Sequence, residues 1–172
     1  MRKMLHKKLV STNSEKGQSL TELAISLTFL LILLGGVVDL GRAFFTYITL
    51  RDAAQEGALY GSYYVYDKDL SWCGIVKRVR ETSNTPFNLN DVTVDVKFAS
   101  DPGTYTFNKS DPYDPGSCPT LAATPSAGDE VQVTVTYKDF QITMPFMGAL
   151  IGSQKISISA SIKDRVVTNA PN

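Results

Sequence analysis

A run of sixteen uncharged residues near the N-terminus, residues 23–38 (LAISLTFLLILLGGVV), constrains this chain most. As a helix the run is about 24 Å long, whereas the hydrocarbon core of a bilayer is about 30 Å thick. Leu20 before it and the apolar residues up to Phe45 after it extend the segment enough to span that core. Residues 27–38 are apolar almost all round, which disfavours a buried helix of a soluble protein. The sequence therefore predicts a membrane-spanning helix over about residues 20–43.

The distribution of charge predicts how this helix is oriented. Residues 1–17 carry five bases and one acid, and the rest of the chain carries 12 bases and 16 acids. Positive flanks resist translocation, so residues 1–17 are predicted to be a basic cytoplasmic leader with an exported body behind the helix. The mildly acidic body argues against a nucleic-acid partner. No small-x-small cleavage site follows the run, so a signal anchor is the ordinary interpretation and a cleaved secretory signal is disfavoured.

The helical pattern continues beyond the apolar run. Phe44, Tyr47 and Ile48 share one face, and alanines follow on later turns up to about residue 64. No proline occurs before residue 86. A helix from Leu20 to Tyr64 is about 65–70 Å long, far more than a bilayer needs. We therefore expect one helix over residues 18–66 that leaves the membrane and becomes the spine of an exported head, residues 67–172.

The head shows one short helical pattern and three alternating ones. A helix is predicted over residues 72–82, and half-buried strands are predicted over residues 91–98 (DVTVDVKF), 131–137 (VQVTVTY) and 156–162 (ISISASI). Residues 100–128 contain five prolines and are predicted to be an irregular excursion, and residues 139–154 a loop with about one helical turn. The prediction is an α+β fold: the long helix and the short helix pack on an antiparallel sheet of about three strands.

Cys73 and Cys118 are the only cysteines. Export of the head favours a disulfide between them, which the chain-entropy model values at about 3–4 kcal/mol; two free buried thiols are the alternative. His6, in the leader, is the only histidine, so no metal-ligand set and no Ser-His-Asp or Cys-His catalytic set is predicted. No glycine-rich phosphate loop follows a strand. The sequence predicts a protein that is not an enzyme, with no cofactor and no evident small-molecule substrate.

Residues 17–62 (GQSLTELAISLTFLLILLGGVVDLGRAFFTYITLRDAAQEGALYGS) resemble the N-terminal signature of TadE-like proteins, the pilin-like subunits of tight-adherence (Flp, type IVb-like) pilus systems. The DLGRAF and AAQEGA stretches are part of that resemblance. VQVTVTY and ISISASIKDR are similar to the closing strands of the family, although more weakly. Residues 65–128 carry no family motif.

The resemblance implies a processing site and a set of partners. A prepilin peptidase is expected to cut between Gly17 and Gln18, which makes Glu22 the fifth mature residue. The partners implied are the bilayer, the peptidase, other pilin-like subunits and the pilus assembly platform. The implied function is that of a pseudopilin or minor pilin in a tight-adherence pilus or related secretion filament. The implied location is the cytoplasmic membrane, with a single pass and an extracytoplasmic head, and then an extracellular pilus after processing. The alternative is an uncleaved, signal-anchored extracytoplasmic binding or scaffold protein.

Three charged residues beside the apolar run are candidate site residues: Glu22 for assembly, and Asp39 with Arg42 as a helix ion pair. A carboxylate costs about 2–3 kcal/mol at the bilayer centre and less near the interface. Pairing Glu22 with the α-amino group of its own or a neighbouring Gln18 lowers that cost and sets the register between subunits. The simpler interpretation of Glu22 is a first-turn acid that complements the helix dipole. Asp39 and Arg42 can pair on one helix face, either as a boundary salt bridge or as a contact between subunits.

Overall fold

The computed structural model describes residues 13–64, 72–82, 87–108, 118–144, 148–149 and 152–167, with side chains described from residue 17 onwards except that of Tyr64. The described residues form two α-helices, a 3-10 turn at Leu89–Asp91 and a four-stranded antiparallel sheet. The predicted α+β class is confirmed. The helices and strands are α1 (Asn13–Tyr64), α2 (Gly74–Glu81), β1 (Thr93–Phe98), β2 (Tyr105–Phe107), β3 (Glu130–Gln141) and β4 (Lys155–Arg165).

Helix α1 has 52 residues and is about 78 Å long. Its first half exposes most of its apolar side chains, for example Leu20 (67% exposed) and Leu40 (72% exposed). Its second half buries one face completely, beginning at Leu50 and continuing through Ala53 and Ala58. Within the part of the chain that the structure describes, α1 is the one helix long and apolar enough to cross a membrane. The last two residues of the predicted helix, 65 and 66, lie outside the described residues.

The sheet has the strand order β2-β1-β3-β4, and every neighbouring pair is antiparallel. Alternate residues of the central strands, such as Val94 and Val96 in β1 and Val133 and Val135 in β3, are fully buried. The intervening residues are polar, as the period of two predicted. Helix α1 packs against β3, β4 and α2, so the core lies between the two helices and one face of the sheet.

Close packing of α2 on α1 depends on two glycines of α1. A Cβ on Gly57 would lie 2.5 Å from Cγ2 of Val79, and a Cβ on Gly61 would lie 2.9 Å from Cδ1 of Ile75. Real Cβ atoms do not approach other carbon atoms so closely. Glycine at these two positions therefore lets α2 approach the α1 backbone.

The structure corrects two predictions about the sheet. It has four strands, because β2 lies inside residues 100–128, which were predicted to be irregular; residues 109–117 of that excursion lie outside the described part. Three residues are too short to show a convincing alternation. Strand β3 also continues to Gln141, within the segment predicted to be a loop. A bulge between Tyr137 and Phe140 breaks the alternation and returns Phe140 to a buried position.

Candidate functional site

The predicted processing site lies inside α1. The helix begins at Asn13, so the peptide bond between Gly17 and Gln18 has helical neighbours on both sides. Both residues are exposed, and a Cβ on Gly17 would meet nothing within 4 Å. Glycine lowers helix stability by about 1 kcal/mol relative to alanine, so Gly17 weakens the helix locally beside this bond.

Glu22 lies one turn after Gln18 on the same face of α1. Nε2 of Gln18 donates a hydrogen bond to Oε1 of Glu22 over 3.3 Å, and both side chains are exposed. The apolar neighbours Leu20, Leu23 and Ile25 are also exposed. The Glu22 carboxylate therefore lies in a belt of exposed apolar side chains at the start of the span.

Asp39 and Arg42 form an ion pair within α1, with 3.2 Å between Nη1 of Arg42 and Oδ1 of Asp39. Asp39 is nevertheless only 7% exposed, because the chain that leaves β3 covers it. The hydroxyl of Thr143 donates to Oδ1 of Asp39, and the N–H of Met144 donates to Oδ2 over 2.6 Å. Arg42 also donates to the Thr143 hydroxyl over 3.1 Å. Asp39 therefore attaches the head to the apolar half of α1.

This role of Asp39 is additional to the two interpretations given from sequence. Its partners follow it by 104 and 105 residues in the chain, and no periodic pattern connects positions so far apart. The sequence carries one sign of this role, which is the position of an acidic residue next to an apolar run. The sequence interpretation accounted for that residue by its pairing with Arg42 alone.

The two cysteines form a disulfide that ties α2 to the residues after the excursion. Cys73 and Cys118 are bonded, with their Cα atoms 5.9 Å apart. A second tie lies beside it, because the indole N–H of Trp72 donates to the carbonyl of Pro119 over 2.9 Å. The Trp72 ring also packs against Phe98, with 6.0 Å between ring centroids.

Asp101 supplies a third tie that the sequence analysis did not single out. The side chain is buried, and it accepts hydrogen bonds from the N–H of Gly103 at 2.8 Å, from the Tyr105 hydroxyl at 2.7 Å and from the N–H of Ala122 at 2.7 Å. The Gly103 N–H, and then the Tyr105 hydroxyl, hold the pKa of the Asp101 carboxyl below its usual value. The bond to Asp101, aided by burial, raises the pKa of Tyr105. Asp101 thus joins the turn after β1 to residue 122.

A groove of about 420 Å³ lies between α1 and the end of β3. It begins at Arg42, three residues after Asp39 in α1. The Arg42 guanidinium lies over the Phe140 ring at its edge, 5.4 Å from the ring centroid. Among the described residues, no group of three or more His, Cys, Asp or Glu side chains is arranged to hold a metal ion. The side chains that line the groove are Arg42, Phe45, Thr46, Phe87, Tyr137, Asp139, Phe140 and Gln141.

Comparison with known proteins gives one match. The model of the family described as TadE-like protein matches residues 17–59. The predicted resemblance is confirmed over these residues, which include the predicted processing site, Glu22, the apolar half of α1 and the Asp39–Arg42 ion pair. No curated protein and no solved structure matches the chain.

Proposed function

We propose that this chain, with its TadE-like N-terminal segment, is a pilin-like membrane protein that becomes a minor or initiating subunit of a tight-adherence pilus or related secretion filament. The observation that carries the proposal is the position of the family match, which begins at Gly17. That residue lies inside α1, where the sequence changes from a basic segment to a run of exposed apolar side chains. An exposed apolar helix fits lipid first and the helices of other subunits afterwards.

Removal of the leader is proposed to release the helix from the membrane. A cut after Gly17 removes four net positive charges and leaves a new α-amino group on Gln18. Those positive charges would hold the N-terminus at the cytoplasmic surface, because they do not cross the hydrocarbon core. Without them, α1 can move into a filament together with the helices of neighbouring subunits.

Glu22 is proposed to set the axial position of the subunit in that filament. Its side chain already accepts a hydrogen bond from Gln18, and both groups are exposed, so they can also be reached by a neighbouring subunit. In apolar surroundings an unpaired carboxylate is costly, whereas a carboxylate paired with an ammonium group is much less so. Pairing with the new α-amino group of a neighbouring Gln18 would therefore favour one stagger between helices over all others.

The substitution Gly17→Ala tests the processing step. Because a Cβ on Gly17 meets nothing within 4 Å, this change leaves the helix intact, and a loss of cleavage would reflect recognition by the peptidase. The matched control is Gly41→Ala, which is also in α1 and also unobstructed. We expect an immunoblot of cell membranes to show unprocessed precursor for Gly17→Ala alone. Equal processing of both variants would contradict a prepilin peptidase site here.

The substitution Glu22→Ala tests assembly separately from processing. We expect normal cleavage, but no subunit in filaments sheared from the cell surface. Thr21→Ala is the control, because it removes a polar side chain from the same exposed turn and leaves the carboxylate in place. Normal incorporation of Glu22→Ala would remove the register role. If wild-type protein were also absent from filaments and kept its leader, the signal-anchored binding or scaffold protein would be the better description.

A further inference from the structure

The connection between β3 and β4 reaches the membrane-spanning half of α1. It begins at residue 142, and residues 142–153 contain no charged side chain. Thr143 and Met144 donate hydrogen bonds to Asp39. The Sδ and Cε atoms of Met144 lie 3.7 Å from the position that a Cβ on Gly36 would take. The head therefore contacts the helix within the segment predicted to span the bilayer.

The depth of this contact follows from helix geometry. If the hydrocarbon core begins at Leu20, then Gly36 lies about 24 Å into it and Asp39 about 28 Å, against a thickness of about 30 Å. The helix surface around the contact is apolar and exposed at Val37, Val38 and Leu40. Residues 142–144 thus lie at the outer boundary of the core, next to side chains that face lipid.

We propose that residues 142–144 are a second membrane contact, seated on the lipids of the outer leaflet and held there by Asp39; this rests on the membrane insertion of α1 proposed above. Lipid is the occupant that the structure favours, because the half-buried Met144 lies beside Gly36, on a helix whose neighbouring side chains Val37 and Val38 are apolar and exposed. Irregular backbone is tolerated at such depth only where its polar groups are satisfied. Two of them are: the N–H of Met144 donates to Asp39, and the N–H of Ile142 donates to the carbonyl of Gln154 over 2.9 Å.

The groups just above this contact suit the headgroup region. The groove between α1 and the end of β3 is lined by Arg42, Phe45 and Tyr137, among others. Aromatic and basic side chains of this kind are enriched where a membrane protein crosses the membrane–water interface. The far end of β3, at Glu130, lies about 36 Å from Gln141 along the strand. One end of the head therefore contacts lipid while the other extends away from the membrane.

Seating the head in this way fixes the depth of α1. If the outer boundary is level with Asp39, a core about 30 Å thick places the inner boundary about twenty residues earlier, near Ser19. Glu22 then lies about 4–5 Å inside that boundary. The head therefore places Glu22 just within the core, where a carboxylate gains from an ammonium partner.

Tryptophan quenching by lipids brominated near the glycerol end of the acyl chains tests the proposal. Met144→Trp and Ile142→Trp would each be introduced into the full chain and reconstituted in phospholipid vesicles. Leu34→Trp, on the exposed surface of the span, is the membrane control. Ser126→Trp, in the exposed turn just before β3, is the head control. The native Trp72 is buried in the head, so wild-type protein gives the background emission and reports whether each variant is folded.

We expect Met144→Trp and Ile142→Trp to lose at least about half as much emission as Leu34→Trp, and Ser126→Trp to remain at the wild-type background. Suppose that Leu34→Trp is quenched, while Met144→Trp and Ile142→Trp are folded but remain unquenched like Ser126→Trp. The proposed contact of residues 142–144 with lipid is then refuted, and the proposed function stands. If Leu34→Trp is itself not quenched, α1 is not inserted, and both proposals fail.

Discussion

Removal of the disulfide should lower the stability of the head by an amount that the structure allows us to calculate. Cys73 and Cys118 are 45 residues apart, and closing a loop of that length restricts the unfolded chain by about 4 kcal/mol at 25 °C in the chain-entropy model. The folded state should change little, because the Trp72 indole keeps its bond to Pro119 and Asp101 keeps its bond to Ala122. Most of the effect therefore lies in the unfolded state.

The assay is urea unfolding of the full chain in detergent micelles, followed by the emission of Trp72. This residue is the only tryptophan, and its ring packs on Phe98, Tyr105 and Phe107, so its emission reports the core of the head. With a slope of about 2 kcal/mol per molar urea, a loss of about 4 kcal/mol moves the midpoint down by about 2 M. The variant for this test is Cys73→Ala with Cys118→Ala.

Reductant supplies the control for this prediction. Adding it to the wild-type protein should reproduce the midpoint of the double alanine variant, and adding it to the variant should have no effect. The emission spectrum before unfolding should be the same in all samples. A shift that corresponds to less than about 1 kcal/mol would contradict the loop-closure argument. A changed spectrum in the folded state would contradict the claim that the other two ties are sufficient to hold the fold.

Two further predictions concern the head. Gly57→Ala forces a methyl group against Val79, which costs about 1–3 kcal/mol. This cost outweighs the gain of about 1 kcal/mol in helix propensity, so the urea midpoint of this variant should fall. The urea midpoint of the control Gly41→Ala, whose methyl group is unobstructed, should not fall. Asp101 has a folded-state pKa below its usual value, so its stabilising effect is complete above about pH 4 and is lost as the pH falls through the folded pKa. Wild-type protein should therefore lose more stability between about pH 5 and pH 3 than Asp101→Asn does, and equal losses would contradict this assignment.

The elements that could be predicted are those whose residues repeat at a regular spacing. The apolar run and the alanines that follow it predict α1 as one helix, and the alternation in VTVDVKF, VQVTVTY and ISISASI predicts β1, β3 and β4. Strand β2 could not be predicted, because Tyr105–Phe107 is held by pairing with β1 and by ring contacts with Trp72. The bulge before Phe140 hid the end of β3, because it breaks the alternation where the strand continues.

The candidate site could likewise be predicted only where its residues lie close together in the sequence. Gly17, Gln18 and Glu22 lie within one local motif, so a sequence interpretation could relate them to one another. The contact of Asp39 with Thr143 joins two segments that only the folded sheet brings together. Asp101 was missed for a similar reason. One of its hydrogen-bond donors is the backbone N–H of Ala122, 21 residues away, and a backbone N–H gives no signal in the sequence.

The central claim is that the chain is made with a basic leader, residues 1–17, and enters a filament only after that leader has been removed. The most direct measurement is the intact mass of the protein in filaments sheared from cells, compared with its mass in the membrane fraction. We predict that the filament-bound chain begins at Gln18 and has one disulfide. A filament-bound chain that still begins at Met1 would contradict the account.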